Sequence, residues 1–222
     1  VSWVLQIIFS VLALLFCVIP HEVAHGLVAL WLGDPTAKRA GRLSLNPLRH
    51  LDPIGSVLLP LGLILIRRLT GVPLLVFGWA KPVPINPYYF RDPWQGMVWV
   101  GLAGPGTNFV LAALAAGLAR FLLLLGVRNP WVFMFLAIYV VLSLLIAFFN
   151  LIPLPPLDGS RILAYFLPLR WKLQLMRVEQ FGIIVIVALL ALGVLDVVLR
   201  GAEAVAVRML GVDVARFSGL WW

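Results

Sequence analysis

Three ionisable side chains fall within five positions of an otherwise apolar run, His21-Glu22-Val23-Ala24-His25. Histidines at i and i+4 share one face of a helix and can grip a single Zn²⁺. The glutamate between them lies beside the metal, where it can act as base on a water molecule. The chain has three histidines in all, and two of them form this pattern. Ionisable groups buried among apolar residues at membrane depth are expensive unless they are paired or functional.

A catalytic zinc usually takes three protein ligands, so one more must come from elsewhere. Cys17 lies one turn before His21 on the same helix face. It is eight residues from His25, ~12 Å along the axis, too far for both to reach one ion. It reads as a small buried apolar residue. Asp158 is the better third ligand. It sits in Asn150-Leu151-Ile152-Pro153-Leu154-Pro155-Pro156-Leu157-Asp158-Gly159, where prolines forbid regular helix although the sequence is still apolar. Unwound backbone at membrane depth is tolerated only when buried in protein or lining a wet cavity. An aspartate there could also simply cap the next helix, Gly159–Leu167, and the two roles are compatible. Asn108 and Asn150 are candidate contacts to substrate or transition state, or else interhelical hydrogen-bonding groups. His50 reads as an exposed loop histidine rather than a polar group at the site mouth. Asp196 reads as a non-catalytic acid near the outer end of a spanning helix.

The elements that must carry these groups are membrane elements. Of 222 residues, 63% are hydrophobic and 12% charged, against roughly 45–50% and 25% in soluble domains, and the mean hydropathy is +1.05. With one cysteine, a disulfide scaffold is excluded. The net charge of +8 is spread through loops without a basic run, so anionic lipid headgroups are the expected partner and nucleic acid is not. The expected fold is an all-α polytopic membrane protein with full crossings at about residues 3–31, 95–119, 131–149 and 181–199. The stretch 54–66 is too short to cross, and 72–80 is broken by glycine and proline. Together, residues 54–85 read as a re-entrant or β-hairpin segment between the first and second crossings, with Val76–Ile85 the candidate strand for an unwound substrate. Residues 1–200 form a single transmembrane domain, and 201–222 an interfacial amphipathic tail.

Charge tests that topology. With 54–80 entering and leaving on one side, twelve of the seventeen Lys and Arg share that side. A full crossing there would erase the bias. The positive-inside rule therefore favours re-entry and puts the N-terminus outside. The first and third crossings then run parallel, and Asp158 folds back to the level of His21 and His25. Charge bias and ligand geometry select the same arrangement.

These features together resemble the site-2 protease family, the M50-type intramembrane zinc metalloproteases. The resemblance rests on His21-Glu22-x-x-His25, on Leu45-Asn46-Pro47-Leu48-Arg49-His50-Leu51-Asp52-Pro53, and on Phe77-Gly78-Trp79-Ala80-Lys81-Pro82-Val83-Pro84. Ala103-Gly104-Pro105-Gly106-Thr107-Asn108 and the Asn150–Gly159 motif complete it. It looks like the compact subgroup without PDZ or CBS domains. It implies one Zn²⁺ per chain held by His21, His25 and Asp158, with Glu22 as catalytic acid/base. The implied activity is regulated intramembrane proteolysis of transmembrane protein substrates, in a prokaryotic plasma membrane and near its cytosolic face. Pro20 and Ser160 depart from the common pattern without removing a ligand. The competing readings are a catalytically silent metal-binding membrane chaperone and a metal carrier. A carrier would scatter its ligands along a path, and a silent relative would be expected to lose the base or a ligand.

Overall fold

The computed structural model describes residues 3–52 and 81–211, with Leu58, Gly62, Leu65, Ile66 and Leu69 between them. The chain opens with α1, Trp3–Trp31, followed by a one-turn α2, Thr36–Arg39. Two long helices come next, α3 at Pro93–Leu124 and α4 at Pro130–Asn150. The irregular Leu151–Leu157 loop leads to α5, Gly159–Phe166, then α6, Leu169–Glu179. The last two helices are α7, Gly182–Ala191, and α8, Val194–Leu210. Among the described residues there is no strand. Most of the expected re-entrant segment, and residues 76–80 of its candidate strand, lie outside the described residues. Residues 81–86 have no regular secondary structure.

Among the described residues, three helices are long and apolar enough to cross a membrane: Ile7–Trp31, Pro93–Leu124 and Pro130–Asn150. The second and third start at an Asx-Pro pair. Asp92 accepts from Trp94 and Gln95 N–H, and Asn129 accepts from Trp131 N–H. The same device opens single turns at Asn46-Pro47 and Asn86-Pro87. Proline at the first helical position wastes no hydrogen bond, and the Asx side chain satisfies an orphan donor.

The expected fourth crossing, 181–199, is not one straight helix. The chain breaks after Ala191, Gly193 takes φ +71°, and α8 starts at Val194. On the near side, α6 and the apolar 184–191 stretch meet at 85°, so this pair forms a broken span or a re-entrant turn. The expected interfacial tail is also corrected over its first part. Residues 201–210 belong to α8, and Ala202, Ala206 and Leu210 are buried against α3 and α4. Residues 212–222 lie outside the described part. Asp196 falls in the first turn of α8, at the opposite end from Leu210, where a carboxylate suits the helix dipole.

α4 is the hub: half of its apolar window is buried, against 28% in each of α1 and α3. Between apolar helices in lipid, association depends on close packing of small residues rather than on removal of water. Ala112, Ala115, Ala116 and Ala119 of α3 meet Ala137 of α4 and Ala202 and Ala206 of α8. Leu114, Leu118 and Phe121 on the other face of α3 are exposed, as a lipid-facing surface requires. Pro20 lies inside α1 and cannot bond back to Phe16. The Tyr139 hydroxyl donates to that orphaned carbonyl at 3.3 Å.

At the end of α1 the buried Asp34 accepts from Thr36 N–H and Thr36 Oγ–H, and from Asn86 N–H at 2.7 Å, tying together chain segments fifty residues apart. Asp34→Ala strands these donors and should cost about 3 kcal/mol. Asp92→Ala, at an exposed cap, should cost about 1 kcal/mol. Thermal unfolding in detergent should therefore fall further for the first variant, and the reverse order would contradict this assignment.

Candidate metal centre

α1 supplies two imidazoles from consecutive turns, and both rings are buried. The Leu151–Leu157 loop folds Asp158 back against them. That fold depends on Gly159, where a Cβ would meet the Leu151 carbonyl oxygen at 2.3 Å. Asp158 Oδ2 lies 3.2 Å from His21 Nε2 and 3.2 Å from His25 Nε2. The three ligand atoms all lie within 4.8 Å of one another. Asp158 precedes α5 but makes no capping hydrogen bond, so its Oδ2 is left to face the histidines.

The residues present fit a metal ion on three observations. Asp158 Oδ2 is buried and has no hydrogen bond of acceptable geometry despite its two near nitrogens, which leaves it aimed into a shared space. Ligands at ~2.0–2.2 Å around a tetrahedral zinc lie about 3.3–3.6 Å apart, close to the separations seen. Finally, a Cβ on Gly104 of α3 would stand 2.5 Å from His21 Nε2 and 2.5 Å from His25 Nε2. Glycine keeps open the very volume that an ion shared by both rings would fill.

The surroundings prepare the ligands. His25 Nδ1 lies 2.6 Å from the Val100 carbonyl oxygen, which can only accept. A proton is therefore on Nδ1, which leaves Nε2 as the nitrogen that faces the site. Asn108, wholly buried, brings its amide to 3.3 Å from His21 Nδ1. Arg161 reaches Asp158 Oδ1 at 3.2 Å.

Glu22 is half-buried, and its Oε2 accepts from Val83 N–H at 3.1 Å. Val83 comes this close because Gly26 has no side chain. A Cβ there would stand 3.1 Å from Val83 Cγ1 and 2.6 Å from Leu43 Cδ2. The buried Arg42 fixes the segment from the other side, donating to the carbonyls of Arg49, Lys81 and Pro82. Lys81 N–H in turn donates to the His50 carbonyl at 2.9 Å.

Other sequence expectations divide. Cys17 is buried outside the metal group, 3.0 Å from Ser143 Oγ, as its spacing implied. Asn150 is not brought to the histidines by any hydrogen bond and donates to Ile146 in its own helix. His50 corrects the expectation of an exposed loop histidine: it is buried, with Nε2 2.7 Å from the Ser44 carbonyl oxygen, because its loop is folded over Arg42 and Lys81. Arg42 and Val83 were not legible as site-building residues, since a guanidinium bonding to distant carbonyls leaves no spacing pattern. Gly104 stood inside a recognised motif, yet only the rings opposite it show why it is glycine.

An apolar helical bundle with a buried His₂-Asp group describes a membrane protein with side chains grouped so that they could hold a metal ion. The comparisons narrow this further. The model of Peptidase family M50 matches residues 125–193. YwhC of Bacillus subtilis, provisionally named a zinc metalloprotease, is 37% identical over 186 residues, spanning 82% of this chain and 79% of that protein. The Rip2 proteins carry the same provisional description. That of Mycolicibacterium smegmatis is 33% identical over 77% of this chain, and that of Mycobacterium tuberculosis 28% over 76%. The match takes in 61% of each Rip2 protein. No solved structure matches. The chain belongs to peptidase family M50.

Gly104→Ala should leave the helices intact and abolish zinc retention through purification, measured by elemental analysis. Wild-type zinc content in that variant would show that the ion does not occupy this space.

Proposed function

We propose that this protein is an intramembrane zinc metalloprotease, hydrolysing peptide bonds within or next to transmembrane segments of membrane proteins. The observation that carries the reading is the convergence of His21, His25 and Asp158 from opposite halves of the chain, with Glu22 next to the first ligand. Its relatives' names point the same way. His21 and His25 lie within the apolar Ile7–Trp31 helix, which supports chemistry below the headgroups. The charge bias of the loops supports a site nearer the cytosolic face of a prokaryotic plasma membrane.

His21, His25 and Asp158 would hold one Zn²⁺ per chain. Zinc, when bound, supplies Lewis acidity, polarising a carbonyl and making water acidic near neutral pH. Glu22 takes the proton from the attacking water and passes it to the departing amine. Val83 N–H fixes Oε2 and leaves Oε1 for that transfer. His25 keeps its Nδ1 proton on the Val100 carbonyl throughout. Asn150, at the end of α4, would bond substrate on release of its intrahelical bond to Ile146.

Glu22→Gln keeps the size and polarity of the side chain and removes the base. It should retain zinc and lose cleavage of a transmembrane substrate in liposomes by at least a hundredfold, within the ~10²–10⁴ expected for general acid–base catalysis. Cleavage at the wild-type rate would sink the mechanism. A wild type that holds zinc and cuts nothing would favour the silent chaperone or carrier. Arg42→Gln should also keep zinc but lower kcat, because it frees the Lys81–Val83 backbone that holds Glu22. An unchanged kcat would deny that clamp.

A further inference from the structure

Three consecutive turns of one helix face the two imidazoles. Val100, Gly104 and Asn108 stand four residues apart on α3, which runs antiparallel to α1 here, since His25 pairs with Val100 and His21 with Asn108. Val100 offers a carbonyl to one Nδ1, Gly104 clears the space before both Nε2 atoms, and Asn108 meets the other Nδ1.

The first contact is settled by chemistry, because a carbonyl cannot donate. The second is ambiguous, because an amide has a donor end and an acceptor end. With Nδ2 toward His21 Nδ1, as at 3.3 Å, the amide would donate. The ring proton would then move to Nε2, and that nitrogen would lose the lone pair with which it faces Asp158. In that orientation Asn108 Oδ1 is also left buried with no partner. A half-turn of the amide puts Oδ1 on Nδ1–H and restores the lone pair. The two ends of an amide are assigned from their hydrogen bonds, and here the bonding of His21 decides.

We infer that Asn108 is a positioning residue that accepts a hydrogen bond from His21 Nδ1–H through Oδ1, fixing the tautomer in which Nε2 can hold the metal. This rests on the zinc-site reading above and gives Asn108 a role other than contact with substrate. α3 thus supplies no ligand and yet sets both imidazoles, one by backbone and one by side chain.

The experiment is a zinc titration of the full chain in detergent, stripped of metal and competed with a chromogenic chelator. Asn108→Leu keeps the volume and removes the acceptor, and zinc should bind tenfold to a hundredfold more weakly, the usual loss for an outer-shell partner. Asn108→Asp can only accept when ionised and should bind within about threefold of wild type, a smaller loss than removing the partner altogether. A Co²⁺-loaded Asn108→Asp protein should retain the wild-type visible spectrum. Two results would overturn the inference: Asn108→Leu binding as tightly as wild type, or Asn108→Asp binding as weakly as Asn108→Leu. The aspartate variant decides the matter even if the leucine variant fails to fold. A wild type that binds no zinc at all would instead remove the metal site on which the inference rests.

Discussion

Two imidazoles and one carboxylate meeting among apolar side chains is the constraint from which the rest follows. Each polar atom taken out of water must find a partner or forfeit its solvation. The nitrogens away from the centre find theirs on α3, at the Val100 carbonyl and the Asn108 amide. Asp158 Oδ1 finds Arg161. What remains is one carboxylate oxygen and two Nε2 atoms facing one another. A cation at that point would convert three unsatisfied groups into three bonds.

Bringing those atoms together requires backbones to approach more closely than side chains normally allow. Gly26 admits Val83 and Leu43 against α1, Gly104 admits the imidazoles against α3, and Gly159 lets the proline loop fold onto its own carbonyls. Gly101 completes the set, since a Cβ there would stand 3.0 Å from the Asp158 carbonyl oxygen. None of these glycines has a positive φ. Their lack of a side chain matters here for contact distance, not for backbone freedom. Away from the centre the packing relaxes to alanines, and the helix faces turn to large exposed apolar residues.

The grouping of His21, His25 and Asp158 was legible in the sequence because its signals are local. His21 and His25 had to share a helix face, and Asp158 followed a proline run that no regular helix can contain. The first three long helices were legible too, since uninterrupted apolar length is itself the signal. The last quarter was not. Residues 182–199 are apolar apart from Asp196, and hydropathy cannot distinguish one crossing from two helices jointed at Gly193, because the joint depends on α8 packing its alanines against α4. His50 failed for a related reason. Its burial comes from Arg42 and Lys81 closing over the loop, and those bonds join residues far apart in sequence.

The segment beside Glu22 shows how far a sequence argument for a substrate-pairing strand reaches. Pairing needs N–H and C=O groups free along one edge. Pro82 and Pro84 have no N–H at all. Lys81 N–H is held by His50, Val83 N–H by Glu22, and Asn86 N–H by Asp34, while Arg42 occupies the carbonyls of Lys81 and Pro82. Of residues 81–86 only Ile85 keeps an N–H without a partner among the described residues. Pro82 and Pro84 do exclude helix here, but the same alternating prolines make this part a brace rather than an open edge. Its bonds run inward, to Glu22 and to the loop over α1. Stiffness next to the carboxylate proposed as the base is useful in itself, since a base held at one oxygen needs no rearrangement to act with the other.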